Sequence, residues 1–207
     1  PFYALVPHGL NGSSVPDTVE EMAALYLQMV RAVQPEGPYL LGGWCNGGTV
    51  AFEMAQQLRQ QGQQVSLVAL VGASPRNDPA KRLARGLAYG VGSLLGLGPK
   101  ARLRLFFGLR ICGRFIRRFY PSRRFRRTRR DNDLNDLRHR CFSSYITKPY
   151  SGRVSLFWPS EQSFGSSKDP TFGWSRVVPQ IEVQEVPGDH ISCVKRHVAV
   201  LADRMKS

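Results

Sequence analysis

A cysteine stands where a nucleophile would. The run Gly42-Gly43-Trp44-Cys45-Asn46-Gly47-Gly48 has the form G-x-S-x-G with cysteine at the serine position. Such a run reads as a nucleophile elbow, a tight and strained turn between a strand and a helix that exposes one side chain at the top of a sheet. Glycines flank it because strand and helix backbones pass too close there for larger residues. A thiol in that place points to acyl transfer through a thioester intermediate. The N-terminus of the helix that follows favours the thiolate. The bland reading of Cys45 is a buried structural cysteine, the usual fate of this residue type. The flanking glycines, the apolar strand before and the amphipathic helix after argue against it.

A thiol nucleophile needs a base. His190 lies in the loop Pro187-Gly188-Asp189-His190, directly after the last expected strand. The order of nucleophile first and histidine late suits an elbow fold, and position makes His190 the general base. The other histidines are placed less well. His8 is on the first loop, His139 in a basic stretch and His197 inside the last helix.

The elements that must carry these residues are legible as hydrophobic patterns. Phe2–Val6 is a short apolar run that reads as a buried parallel strand. Asp17-Thr18-Val19-Glu20 offers a capping box, and the helix after it places Met22, Tyr26, Met29, Val30 and Val33 on one face. Tyr39–Trp44 is the strand that delivers Cys45, and a helix from about Asn46 to Gln61 follows. Val65–Val71 is a continuous apolar run, as in a strand covered on both faces. Arg153–Trp158 and Ile181–Val186 are further strands. The last helix directs Val194, Val198, Leu201 and Met205 inward. Alternating strands and helices give an α/β architecture with a mostly parallel sheet flanked by helices.

Length and charge bound the rest. At 207 residues the chain is one domain, 1–207, large enough for a substantial core. The net charge of +14 suggests an acidic partner, a nucleic acid or an anionic membrane. Between Lys81 and Arg140 lie 18 of the 29 Lys and Arg residues, against Asp131, Asp133 and Asp136. Leucine, phenylalanine and glycine are interleaved with them, which reads as a helical insertion over about 79–148. Its bland reading is a solvated helical face. The four cysteines show no metal or redox spacing, and no metal site is expected. A nucleophilic thiol must stay reduced, so a cytoplasmic setting is expected. No run is long and apolar enough to span a bilayer.

Specific motifs then add a resemblance. Gly37-Pro38-Tyr39-Leu40-Leu41-Gly42-Gly43-Trp44-Cys45-Asn46-Gly47-Gly48 with Ala51-Phe52-Glu53-Met54-Ala55 is similar to the thioesterase domains that end nonribosomal peptide and polyketide synthases. So are Val19-Glu20-Glu21-Met22-Ala23, Gly152-Arg153-Val154 through Phe157, Gly173-Trp174 and Pro187-Gly188-Asp189-His190. The resemblance implies an α/β-hydrolase fold with a helical lid. It implies release of an acyl or peptidyl chain from the phosphopantetheine arm of a carrier protein, to water or to an internal nucleophile. The carrier would belong to the same longer polypeptide, and no bound cofactor is implied. Cys45 matches a known cysteine variant of the family. The backbone N–H of Asn46 would help hold the oxyanion. The basic insertion would correspond to the lid, with Arg114, Arg117, Arg118, Arg123, Arg124, Arg126 and Arg127 attracting an acidic carrier and the phosphate of its arm.

Two departures from the family pattern matter. The acid that orients the histidine usually follows the strand after the elbow helix, in a pattern like L-x-D-x-x-P. The matching stretch is Leu70-Val71-Gly72-Ala73-Ser74-Pro75, with Gly72 in the acid's place. Related hydrolases put the acid after a later strand, where Glu161 stands, with Asp169 farther along the same loop. The third option is a bare Cys–His dyad, tolerable for a thiol whose ordinary pKa is about 8.5. The second departure is an apparently late start. The family opens with earlier strands and a loop that lends one oxyanion N–H, and His8-Gly9 is an alternative candidate for that loop. A fragment of a longer polypeptide is therefore expected. Beside the thioesterase stand two rivals: a catalytically impaired carrier-binding module, motivated by Gly72, and a basic nucleic-acid or membrane-surface protein, which rests on charge alone and lacks a reading motif.

Overall fold

A computed structural model describes residues 2–10, 14–76, 79–116, 137–138, 140–161 and 169–206. The chain forms two compact units. One comprises Pro1–Pro75 with Thr147–Ser207, the other Arg76–Ile146.

The first unit is built on four parallel strands in the order β1 (Tyr39–Trp44), β2 (Val65–Val71), β3 (Val154–Pro159) and β4 (Ile181–Val186). Valine, leucine and aromatic residues dominate β2 and β3, types that suit a pleated, covered surface. All of β3 is buried, as a strand covered on both faces should be. Parallel neighbours need a crossover, which α2 (Asn46–Gln60) supplies between β1 and β2. The register pairs Trp44 with Val71, Val71 with Phe157, and Pro159 with Val186. The C-terminal ends of all four strands therefore lie along one end of the sheet. This is the α/β-hydrolase arrangement that the motifs implied.

Helix α1 (Val19–Val33) packs on α2. Its N-cap is Thr18, whose Oγ1 accepts from the Glu21 N–H at 3.1 Å, while Glu21 Oε2 accepts from the Asp17 N–H at 3.1 Å. The reciprocal cap is thus one residue later than Asp17–Glu20. Val19, Met22, Ala23, Tyr26 and Leu27 are buried, but Met29 and Val33 are exposed. Burial ends with Leu27, so the apolar pattern outlasts the surface that covers it.

Two other expectations are corrected. Phe2–Val6 forms no regular element and joins no sheet, and Phe2 is 95 % exposed. Tyr26 ties the end of the run: its hydroxyl donates to the Val6 carbonyl at 3.1 Å and accepts from the His8 N–H at 3.2 Å. An apolar run becomes a strand only with a ladder partner, and among the described residues β1 pairs on one side alone. The last helix is also interrupted. A single turn, Ser192–Lys195, closes with Arg196 and His197 both donating to the Ser192 carbonyl, and α5 (Val198–Lys206) starts afresh. The break resets the periodicity. Cys193 and Leu201 are buried with Val71, Phe157 and Val186, whereas Val198 and Met205 are exposed.

In the second unit α3 (Pro79–Leu94) packs against α4 (Pro99–Ile116), with Ala88 and Phe106 buried. Arg85 reaches the Ser144 carbonyl at 3.0 Å. Among the described residues no helix is long and apolar enough to cross a membrane.

Candidate active site

Cys45 joins β1 to α2 with φ 55° and ψ −120°, a conformation that non-glycine residues rarely adopt. Strain of this kind costs about 1–3 kcal/mol and persists only where the surroundings enforce it. Here the Cys45 N–H donates to the Val71 carbonyl of β2 at 2.9 Å, and the Cys45 carbonyl accepts from Gly48 at 3.1 Å. A Cβ on Gly43 would overlap the Gly47 carbonyl and the Gly48 nitrogen. One on Gly48 would come within 2.8 Å of Ala73 Cβ and 2.9 Å of the Gly43 oxygen. These two glycines let the helix leave the strand at the angle that exposes the thiol. Cys45 is half-buried and a free thiol. Asn46 is the first residue of α2, where N–H groups have no carbonyl acceptor within their own helix.

His190 arrives from the other side of the sheet. Its loop follows β4, and Trp44 links it to the elbow. The Trp44 indole Nε1 donates to the His190 carbonyl at 2.9 Å, and the two rings lie 5.0 Å apart at 31°. The Cys193 thiol donates to the same carbonyl at 3.4 Å. Burial pushes the Cys193 pKa up, with the Asp189 charge acting in the same sense, so it stays a protonated donor. The structure thus brings the residue before the nucleophile into contact with the expected base.

The loop is also closed on itself. Asp189 Oδ1 accepts from the Ser192 N–H at 2.7 Å and the Ile191 N–H at 2.8 Å, and Ser192 Oγ accepts from the Asp189 N–H at 2.7 Å. These bonds hold the Asp189 carboxyl below its usual range. Sequence reasoning missed this role, although Asp189 followed three residues later by Ser192 is a capping signal. It also missed Trp44, because no sequence spacing marks a contact across 146 residues.

The third group of the site is placed as follows. Gly72, at φ 54°, donates its N–H to Phe157 at 2.9 Å, and the end of β2 carries no carboxylate. Glu161 is exposed, and its N–H donates to the Gly188 carbonyl at 3.0 Å, which sets it beside the base loop. Asp169 is engaged in its own loop. Oδ1 accepts from Thr171 Oγ1 at 2.6 Å and the Thr171 N–H at 2.9 Å, and Oδ2 accepts from Gly173 at 3.0 Å. The Thr171 bonds foremost hold its carboxyl below the usual range. Arg117, Arg118, Arg123 and Arg124 lie outside the described residues, as does His139. Among the described residues no group of three or more His, Cys, Asp or Glu is placed to hold a metal ion.

The two bonded aspartates give a pH prediction. Their folded pKa values lie below the unfolded ones, so their stabilisation is full above the unfolded value of about 3.9. It is lost as pH falls through the lower folded value. The melting temperature should therefore drop below about pH 4, and Asp169→Asn with Asp189→Asn should flatten that drop. A wild-type profile with the same slope as the double variant would overturn the assignment.

Comparison with known proteins shows the family. The Thioesterase domain family profile matches residues 1–207. A dimodular nonribosomal peptide synthase of Bacillus subtilis is 44% identical over 78 residues, 37% of this chain and 3% of that protein. Orsellinic acid synthase of Emericella nidulans is 30% identical over 118 residues, 52% of this chain and 6% of that protein. The matched stretches are thus a few per cent of these relatives' length. Among solved structures, the NocB thioesterase domain in covalent complex with a fluorophosphonate nocardicin G analog superposes with a TM-score of 0.57 at 28% identity, covering 91% of this chain and 73% of that one. On the profile match across its whole length, this chain belongs to the Thioesterase domain family.

Proposed function

We propose that this chain releases an acyl or peptidyl group from the phosphopantetheine arm of a carrier protein, through an acyl-enzyme on Cys45. The observation that carries the reading is the strained Cys45 elbow with the His190 loop bonded to its neighbouring residue, Trp44. His190 takes the thiol proton, and the thiolate attacks the thioester carbonyl carbon. The N–H of Asn46 supports the oxyanion of the tetrahedral intermediate. Collapse breaks the bond to the arm's sulfur, which leaves with the proton from His190. Water, or an amine or hydroxyl of the acyl chain, then gives its proton to His190 and attacks the Cys45 thioester. The Cys45 thiolate departs and regains the proton. The acyl-enzyme is itself a thioester, so the first step is close to thermoneutral and the group stays activated for hydrolysis or cyclisation.

Glu161, which its backbone bond to Gly188 sets beside the base loop, is the candidate acid. With Gly72 at the end of β2, the proposal rests on a thiol whose ordinary pKa of about 8.5 lets a Cys–His pair work without the carboxylate usual there. Arg117, Arg118, Arg123 and Arg124 are proposed to attract the carrier and its phosphate. The carrier is placed in the same longer polypeptide, in keeping with the small share of the synthase relatives that the chain spans. Gly72 favours one second reading, a carrier-binding module with impaired catalysis.

Intact-protein mass after incubation with an acyl N-acetylcysteamine thioester, in the natural polypeptide, tests the reading. We expect an acyl adduct on the wild type and none on Cys45→Ala. Carrier binding with no adduct on the wild type would favour the second reading.

A further inference from the structure

In the proposed mechanism nucleophile and base come from the first and last of the four described strands. Among the described residues β1 and β4 lie three strand spacings of about 4.8 Å apart, or about 14 Å. The base loop must cross that distance after the β4 ladder has ended at Val186. Gly188 and Cys193 are buried at its two ends, whereas Asp189 and Ile191 between them are exposed. Specific bonds hold the exposed part. Glu161 anchors Gly188 from the end of β3, and the Asp189–Ser192 pair closes the turn. Two donors reach the His190 carbonyl: Cys193 from the same segment, and Trp44 across from the elbow strand.

We propose that Trp44 is the positioning residue for His190, so that the residue before the nucleophile also sets the base. This rests on the Cys45–His190 reading above. The indole is suited to the task because it is a donor only and never competes for the transferred proton. Its N–H fixes the backbone of His190, and its ring, 5.0 Å from the imidazole, restricts the ring's rotation. Trp44 follows Gly43, which faces α2, so by strand alternation the indole stands on the opposite face of the sheet. One backbone alternation therefore separates the close-packed glycine from the indole. Trp44 keeps 41 % of its surface exposed, more than packing alone would leave a tryptophan.

The test is a double-mutant cycle on the reactivity of Cys45. Iodoacetamide labelling in the natural polypeptide is followed by peptide mass, so that Cys112, Cys141 and Cys193 do not interfere. Trp44→Ala should slow Cys45 labelling at pH 7 by about 10- to 100-fold, the scale of a misplacement near 1 Å. Trp44→Phe, which keeps the ring and loses the donor, should fall between it and wild type, and it serves as the test if the alanine variant does not fold. In a His190→Ala background either substitution should change the rate by less than about two-fold, because coupled residues are not additive. Leu40→Ala, on the same face four residues earlier and 74 % exposed, should label as wild type. Equal losses with and without His190, or no loss at all, would overturn the proposal. Labelling of His190→Ala at the wild-type rate would instead remove the Cys45–His190 reading, and the role of Trp44 with it.

Discussion

Cys45→Ser should lose almost as much turnover as Cys45→Ala, about 10⁴-fold or more, and Gly72→Asp should restore part of it. The reasoning starts from the empty position at the end of β2. In serine proteases, removing the acid's carboxylate costs about 10⁴-fold, because a serine hydroxyl depends on a correctly held imidazole. A thiol, with its ordinary pKa of about 8.5, needs that help far less. Gly72 sits between the elbow and β3: the Cys45 N–H bonds to Val71, and the Gly72 N–H bonds to Phe157. Its φ of 54° lies in the left-handed region, where aspartate and asparagine are the best tolerated alternatives to glycine. A carboxylate there would lie along the path of a base that crosses from β4. Gly72→Asp should therefore raise the serine variant by about 10-fold or more and change the cysteine protein less. Single-turnover hydrolysis of an acyl N-acetylcysteamine thioester by the four combinations decides it. Serine working near the wild-type rate in the presence of Gly72 would refute the link between the thiol and the missing acid.

The second large effect is on the elbow itself. Gly43→Ala should destabilise the protein by about 3 kcal/mol or more, whereas Gly47→Ala should be neutral or slightly stabilising. Both glycines belong to the same motif, yet their surroundings differ. A Cβ at Gly43 collides with the backbone of Gly47 and Gly48, which no side-chain rotation relieves. A Cβ at Gly47 meets nothing within 4 Å and sits in a helix, where alanine is favoured by about 1 kcal/mol. For a chain of this size the Gly43 variant should melt about 6–12 °C lower. Thermal denaturation of the two variants side by side is the measurement, and equal melting temperatures would refute the packing argument.

The strands were legible where sequence alone dictates them. Val65–Val71 has the boundaries that its apolar run gave, Ile181–Val186 also matches, and β3 is shifted by one residue at each end. The elbow at Cys45 was legible because it is a local pattern, and the place of His190 in a loop after the last strand followed from chain order. What failed depended on partners distant in sequence or on a local break in a helix. Phe2–Val6 has the composition of a strand but no ladder to join. Val198 and Met205 were assigned inward by a periodicity that the turn at Ser192–Lys195 interrupts. Trp44 read as one more residue of the elbow, because its contact with His190 exists only once β4 and β1 flank the same sheet.

That placement has a consequence for how the protein would fail. Local opening begins at the margins of a fold and spares its centre. Detachment of the loop after β4, which lies beyond the end of its ladder, would separate imidazole from thiol while β2 and β3 stayed folded. Reactivity would then vanish in mild denaturant, ahead of the loss of the sheet, and would report on that loop rather than on the core.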